Sequence, residues 1–168
     1  IWMKYLKRVA THSTWTRSKR GAVIVKYGKA IGTGVNGPHR GFESWCKPCM
    51  RSELGVPHKT RYELCSGEHA ERAALDDNNK RIPEVREISR YAVNPWEADM
   101  HHLALDDSGK PVGSGEPSCP PCSGQILKAG IGRVILWHGG EEFEAYSART
   151  FHELSLRNMV EHSGLRKG

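Results

Sequence analysis

Two stretches of the sequence decide the fold: residues 65–75, which read CSGEHAERAAL, and residues 119–135, which read CPPCSGQILKAGIGRVI. In the second stretch, proline near the start of an apolar segment and Gly130 at its end are typical of a helix, and the run RVI that follows is typical of a buried strand. The first stretch predicts another helix, from Glu71 to about Asp77. Helices that alternate with strands in this way predict an α/β fold.

The other elements are predicted outward from these two stretches. They are an amphipathic helix over residues 1–13, a hairpin over 21–35, strands over 100–106 and 133–137, and helices over 120–129 and 148–162. Residues 36–64 show no clear period and are interpreted as a long ordered loop, which at this length is usually functional. Residues 78–99 are polar, and a helix near residues 85–91 is one interpretation. Neither a repeat nor a domain boundary is visible, so residues 1–168 are expected to form a single domain.

The composition is that of a soluble globular protein, with 38% apolar and 26% charged residues. No apolar run approaches the length of a membrane span, and the N-terminus has no signal-peptide cleavage site. The net charge of +6 favours a phosphate-bearing partner, although many domains carry such a charge for solubility alone. Four of the five cysteines form two Cys-x-x-Cys pairs, which indicate metal or redox chemistry and a cytoplasmic location.

Three residues have the chemistry of a catalytic zinc site. His69, Cys119 and Cys122 are ligands that zinc prefers, and a catalytic zinc keeps its fourth position for water. Glu71 is not needed as a ligand and is placed to take a proton from that water and pass it to a leaving amine. H-x-E followed by Cys-x-x-Cys at a helix start is the pattern of zinc nucleobase deaminases. Because such a pocket excludes solvent, we expect the pKa of Glu71 to lie above that of an ordinary glutamate.

These motifs resemble the cytidine deaminase superfamily and, within it, the zinc-dependent deoxycytidylate (dCMP) deaminases. The similarity extends over residues 18–41, 49–75 and 119–135. It implies a three-layer cytidine-deaminase-like fold, in which a central mixed β-sheet is flanked by helices. It also implies a hydrolase that acts on a cyclic amidine, converting dCMP or a close relative to the uracil form by zinc-activated water, with a glutamate as the proton shuttle.

Matched position by position, the resemblance implies that His69, Cys119 and Cys122 bind the catalytic Zn²⁺ and that Glu71 moves the proton. It further implies that Asn36 holds the sugar or the base, although Asn-Gly is also a common turn, and that the Ala70 backbone contacts the pyrimidine. Basic residues expected near the pocket mouth favour a substrate that carries a phosphate. The alternative, equally consistent with the sequence, is that they form a solvent-exposed surface without a ligand. These residues are Lys19, Arg20, His39 and Arg40. We take Arg20 and Arg40 as the candidate phosphate contacts and expect a homo-oligomer.

The remaining cysteines suggest a second metal. Cys46, Cys49 and Cys65 lie in or beside the long loop, which has little apolar content to order it, and a structural zinc supplies such order. The resembled family often carries this second zinc, with one ligand at the position where this chain has Trp15. The fourth ligand would then be a histidine, and the candidates are His12, His39 and His58. The alternative is a small buried Cys65 and two thiols that bind no metal.

Three departures from the family pattern concern the substrate side of the pocket. Ser118 stands between Pro117 and Cys119, and the segment between His69 and Cys119 is long. The chain also ends soon after its last helix, so a fifth strand is expected to be short or absent.

Two alternatives to the nucleotide deaminase therefore remain open. The first is a deaminase of a free nucleoside or base, a modified pyrimidine or a nucleic-acid base; the second is a non-catalytic zinc-binding module. A nucleic-acid substrate, which is not favoured, would need exposed aromatic residues beside a basic groove, for which Trp15, Trp45 and Trp96 are candidates.

Overall fold

The computed structural model describes residues 1–15, 18–57, 61, 64–65, 67–81, 94–113 and 117–164. In this part of the chain the helices are α1 (Trp2–Ala10), α2 (Met50–Glu53), α3 (Ala70–Arg81), α4 (Pro120–Lys128) and α5 (Ala148–Ser163). The strands are β1 (Lys19–Lys26), β2 (Lys29–Val35), β3 (Gly37–Pro38), β4 (Gly67–Glu68), β5 (Asp99–Leu105), β6 (Pro111–Val112), β7 (Arg133–Trp137) and β8 (Phe143–Ser147). A short 3₁₀ helix spans Glu43–Cys46.

The central sheet has the strand order β2-β1-β5-β7-β8, and β6 pairs with the end of β5. The strands β5 and β7 are parallel, whereas the other pairs are antiparallel, so the predicted mixed sheet is confirmed. The predicted hairpin is β1 and β2, whose turn places Tyr27 at φ 49° and Gly28 at φ 70°. Two positive φ angles in a two-residue turn match the right-handed twist of the flanking strands.

Helices cover both faces of the sheet and produce the three predicted layers. Alternate residues of a strand point to opposite faces. On one face, Ile24 and Met100 pack in a core to which the helices α3, α4 and α5 contribute, with Phe151 of α5 fully buried. On the other face, Val23 and Leu103 pack beneath α1.

The ends of the sheet determine where α3 and α4 begin. The register runs from Val35 on β2 through Gly21 on β1 to Leu103 on β5, so the carboxyl ends of β2 and β5 lie at one edge. The helix α3 starts against this end of β2, and α4 follows the β5–β6 hairpin at the same edge. The N-termini of two helices therefore meet beyond one edge of the sheet.

Several predictions of local structure need correction. The strand β8 was not predicted, and its side chains are mostly exposed, which leaves little apolar alternation in the sequence. It has five residues, stands last in the strand order β2-β1-β5-β7-β8 and precedes the last helix, so the edge strand that was expected to be short or absent is present and short. The segment 36–64, predicted as a loop, contains β3, the 3₁₀ helix and α2. The helix considered near residues 85–91 lies outside the described residues.

Candidate active site

The three predicted zinc ligands meet where α3 and α4 begin. The Nδ1 atom of His69 lies 3.2 Å from Sγ of Cys122 and 3.3 Å from Sγ of Cys119. The three ligand atoms all lie within 4.8 Å of one another, and no other His, Cys, Asp or Glu group in the described residues meets this condition. Zinc with tetrahedral N and S ligands would place these atoms about 3.5 Å apart. The donor set therefore fits zinc and leaves a fourth position for water.

The local sequence explains why the ligands converge. Cys119 is the N-cap of α4, and the prolines after it occupy the first helical positions, where a missing N–H costs nothing. Cys122 follows in the first turn, so both thiols lie at the positive end of a helix dipole, which favours thiolates. His69 directly precedes α3, and its carbonyl oxygen accepts a hydrogen bond from the backbone N–H of Ala73. The two helix starts therefore present all three ligands to one point.

Hydrogen bonds among the three metal ligands shift their pKa values. Hydrogen bonds with Cys119 and Cys65 raise the pKa of His69 to about 10, against the effect of burial. A hydrogen bond with Cys122 lowers the pKa of Cys119 to about 5, although burial raises it. The hydrogen bond with Cys119 and then burial raise the pKa of Cys122. Metal binding must displace the protons on His69 and Cys122, so zinc affinity should fall as the pH falls.

The carboxylate of Glu71 lies in the same pocket. It projects from the first turn of α3 and is 5% exposed, and its Oε1 accepts a hydrogen bond from the hydroxyl of Ser118. Burial raises the pKa of Glu71. The electrostatic effects of His102 and His69 and the hydrogen bond from Ser118 outweigh burial and lower the pKa to about 2. The expectation of a raised pKa is therefore wrong, because polar groups from other segments surround the carboxylate.

His102 is a site residue that the sequence reasoning missed. It lies on β5, is 3% exposed, and its Nε2 atom is 3.8 Å from Oε1 of Glu71. Burial lowers the pKa of His102 to about 4, so the imidazole is neutral at pH 7. The available signal was the period of two along β5, which places His102 on the same face as Met100.

Asn36 is buried and its side chain stabilises the local backbone. Its Oδ1 accepts hydrogen bonds from the hydroxyl of Ser13 and from the backbone N–H of Arg20, both at 2.7 Å. Its Nδ2 donates to the carbonyl oxygen of Ser18 at 2.8 Å. Both lone pairs of Oδ1 are thus used, and one N–H of the amide is left for the contact with sugar or base that the sequence predicted.

A cavity of about 330 Å³ lies between the end of β2 and the start of α3. Its lining includes Asn36 and Arg40, together with His12, His39 and Glu68. The Nδ1 atom of His39 is 3.9 Å from a carboxylate oxygen of Glu68. Glu68 ends β4 and directly precedes the metal ligand His69. The cavity therefore ends one residue along the chain from His69.

Two more predicted contacts lie near this edge. Ala70 is the first residue of α3 and is almost fully buried. Arg20 is exposed. It lies two positions before Ala22 on β1, and the side chain of Ala22 belongs to the core beneath α3. By strand alternation, Arg20 projects on the side of the sheet that carries the metal ligands.

The residues of the suggested second zinc do not form a compact ligand group like that of His69, Cys119 and Cys122. Cys46 is buried, Cys49 and Cys65 are half-buried, and the three thiols do not form a group whose ligand atoms all lie within 4.8 Å. A hydrogen bond with His69 lowers the pKa of Cys65, which places this thiol beside the first metal group. Of the candidate fourth ligands, His12 and His39 line the cavity, and His58 lies outside the described residues.

The tryptophans considered for nucleic-acid binding are spread over the molecule. Trp15 packs against Gly67, close to the metal ligands, because a Cβ at that glycine would lie 2.7 Å from its ring. Trp96 packs against Gly130, at the opposite end of β5. Trp45 is exposed on the 3₁₀ helix. Trp96 therefore cannot share one stacking surface with Trp15.

A three-ligand metal group beside a buried carboxylate is the arrangement of a zinc-dependent hydrolase. The sequence model of the cytidine and deoxycytidylate deaminase zinc-binding region matches residues 1–138. The chain belongs to this family of zinc-dependent deaminases, which confirms the resemblance seen in the sequence motifs. No curated protein matches the sequence. In the part of the chain that is described, no helix has the length and apolar character needed to cross a bilayer.

Solved structures with a similar fold include the following two. A dCMP deaminase from the cyanophage S-TIM5, in complex with dCMP and dUMP, is 22% identical over 79% of this chain and 75% of that chain, with a TM-score of 0.49. A cytidine deaminase from Burkholderia pseudomallei is 15% identical over 88% of this chain and 91% of that chain, with a TM-score of 0.50. At these identities the similarity concerns the fold alone, and the second structure supports the cytidine-deaminase-like fold.

Proposed function

We propose that the chain hydrolytically deaminates a cytosine-type nucleotide, dCMP or a close relative. The observation that carries this proposal is the buried carboxylate of Glu71 beside a group of only three metal ligands in the described residues. A structural zinc closes its coordination with a fourth protein ligand and has no use for such a carboxylate. The non-catalytic zinc-binding module is therefore disfavoured.

The residues have separate roles in this reaction. His69, Cys119 and Cys122 hold the zinc, which when bound supplies the Lewis acidity that makes water a nucleophile at neutral pH. Glu71 accepts one proton from the attacking water and donates it to the ring nitrogen, and it then carries the second proton of that water to the departing amine, which leaves as ammonia. The sheet and the starts of α3 and α4 exclude bulk water from this carboxylate, so the proton stays within the pocket.

Recognition of the nucleotide is assigned to the edge of the pocket. The backbone of Ala70 would contact the pyrimidine, and the remaining amide N–H of Asn36 would bind the sugar or the base. Arg20, on the metal-binding side of the sheet, and Arg40, in the adjoining cavity, would bind the phosphate. A guanidinium presents two N–H groups to a phosphate, and such charge-assisted bonds are about twice as strong as neutral ones. This arrangement favours a nucleotide over a nucleoside.

A substrate panel tests the proposal. Ammonia release should be measured with dCMP, CMP, deoxycytidine, cytosine, 5-methyl-dCMP and cytosine-containing oligonucleotides. We expect the highest kcat/KM with a mononucleotide. A higher kcat/KM with deoxycytidine, cytosine or an oligonucleotide would show that this compound, and not a mononucleotide, is the preferred substrate. Absence of ammonia with every compound would contradict the proposed deaminase activity.

Arginine variants test the phosphate contact. Arg20→Ala or Arg40→Ala should raise KM for dCMP by about 10-fold or more, the loss expected for one charge-assisted hydrogen bond, and leave KM for deoxycytidine unchanged. Lys29→Ala is the matched control, because this exposed cation is the first residue of β2, at the end of the strand opposite to the site. Equal effects of an arginine variant on both substrates would show that this side chain does not bind the phosphate.

A further inference from the structure

His102 is an unusual residue for the middle of a central strand. In the sheet it lies between Ala22 on β1 and Leu136 on β7, and neither side chain offers a hydrogen bond. Both ring nitrogens are buried and neither has a hydrogen-bond partner in the described part of the chain. A buried polar group without a partner costs free energy, so such a residue calls for an explanation.

The polar atom that His102 faces is Oε1 of Glu71, 3.8 Å from its Nε2. This separation exceeds a normal N–H···O distance by about 0.9 Å, so the hydrogen bond that we infer requires a small movement of the two side chains. An ionised carboxylate only accepts hydrogen bonds, so the favourable tautomer of a neutral imidazole here carries its proton on Nε2. The opposite tautomer would direct a lone pair at the carboxylate.

The two oxygens of Glu71 have different surroundings. Oε1 is the oxygen that accepts the hydrogen bond from Ser118, and it is also the oxygen that faces His102. An sp² oxygen can accept two hydrogen bonds, so Ser118 and His102 can bind Oε1 together. Held in this way, the carboxylate has one orientation, with Oε2 directed to the reaction.

We propose that His102 is a positioning residue for Glu71: its Nε2–H, with the hydroxyl of Ser118, holds Oε1 and leaves Oε2 to exchange the proton. This inference rests on the proposed deaminase function, since it assigns a role in that reaction. His102 does not touch the substrate in this account. Its removal should therefore lower kcat and leave KM unchanged.

The kinetic test uses His102→Leu, which fills the space without a donor. We expect kcat to fall about 10- to 100-fold, the effect of a misplaced proton-transfer group, with KM within about 2-fold and zinc content unchanged. The melting temperature should not fall, because the variant also removes two unpaired polar atoms. His102→Gln, which restores an N–H donor, should recover part of kcat. Unchanged kcat in His102→Leu, or a loss explained by a lower folded fraction, would overturn the proposal.

His101→Leu is the matched control, because this neighbouring histidine faces α1 on the other side of the sheet. Its loss removes the acceptor for the indole N–H of Trp137 and should lower stability without changing kcat per folded molecule. A fall in kcat of similar size in both variants would show that any disturbance of β5 has this effect, and would also overturn the proposal.

A second measurement does not depend on the substrate. In ¹⁵N NMR spectra of the zinc-loaded enzyme, His102 should show a proton on Nε2 that exchanges slowly with water and shifts in Glu71→Gln. A proton on Nδ1, or no response to Glu71→Gln, would contradict the hydrogen bond. If the substrate panel shows no deamination, the proposed function fails, while the NMR result still decides whether His102 donates to Glu71.

Discussion

Gly34 on β2 lies so close to Ala70 at the start of α3 that a Cβ atom on the glycine would be 2.3 Å from the carbonyl oxygen of Ala70. Such a Cβ would also be 2.3 Å from the backbone nitrogen of Ala74. Both neighbours are backbone atoms of a helix and cannot move alone. The absence of a side chain at Gly34 therefore sets the distance between α3 and the sheet, and with it the position of His69 and Glu71.

Gly34→Ala should separate α3 from β2. We expect a loss of about 1–3 kcal/mol in the free energy of unfolding, as for other overpacked sites, together with lower zinc occupancy. Denaturant unfolding and metal analysis measure the two effects. Gly113→Ala is the control, because the nearest atom to its added Cβ is 3.8 Å away. Normal stability and zinc content in Gly34→Ala would show that α3 adjusts without cost.

Glu71→Gln should remove catalysis and keep the fold. The amide oxygen can still accept the hydrogen bond from Ser118, so the melting temperature and zinc content should stay close to those of the wild type. The loss of proton transfer should lower kcat by at least about 10³-fold, because the carboxylate acts in more than one step. Ammonia release measures kcat, and turnover within tenfold of the wild type would exclude Glu71 as the proton shuttle.

A second, structural zinc remains a prediction for Cys46, Cys49 and Cys65. If it is present, the purified protein should contain about two zinc ions per chain. Cys46→Ser/Cys49→Ser should then contain about one and melt at a lower temperature, since a ligand that binds only the folded state stabilises it. Mass spectrometry of the metal content decides, and a single zinc in the wild type would leave the segment 36–57 to be ordered by packing.

His101 should make the protein less stable in acid. Its Nδ1 accepts a hydrogen bond from the indole N–H of Trp137, and burial lowers its pKa from 6.5 to about 4. Between these values the unfolded chain binds a proton that the folded chain does not. Stability is therefore full above about pH 6.5 and falls by ~1–3 kcal/mol as the pH drops towards 4.

Denaturant unfolding at several pH values measures this dependence. His101→Asn keeps an acceptor at the δ position and cannot take up the proton, so its stability should change less between pH 6.5 and 4 than that of the wild type. An equal slope in both proteins would assign the acid sensitivity to other groups, among them His102, whose pKa burial also lowers.

The sequence predicted the parts of the fold that follow from local pattern. The helix start at Pro120 and the strand Arg133–Trp137 are marked by proline, glycine and apolar residues, and both are confirmed. The strand β8 was missed because it lies at the edge of the sheet with mostly exposed side chains. Its position depends on pairing with β7, which no local pattern encodes.

The candidate site shows the same limit. His69 and Cys122 were predictable because metal ligands leave a characteristic spacing at helix starts. The surroundings of Glu71 were not, because Ser118 and His102 come from segments distant in sequence and reach the carboxylate only in the folded chain. The direction of the Glu71 pKa shift was therefore wrong when it was inferred from burial alone.

The metal group lies at the starts of α3 and α4, whereas the segment 36–57 is a different part of the chain. This division affects how the protein can be altered. The metal ligands and Glu71 depend on the sheet and two helices, whereas the cavity beside them is lined largely by residues of β2, β3 and the loop that follows. Loops tolerate insertion and replacement better than packed elements do. If substrate recognition lies in this cavity, as proposed, replacing the loop after β3 should change which substrate is accepted and leave the metal ligands and Glu71 in place.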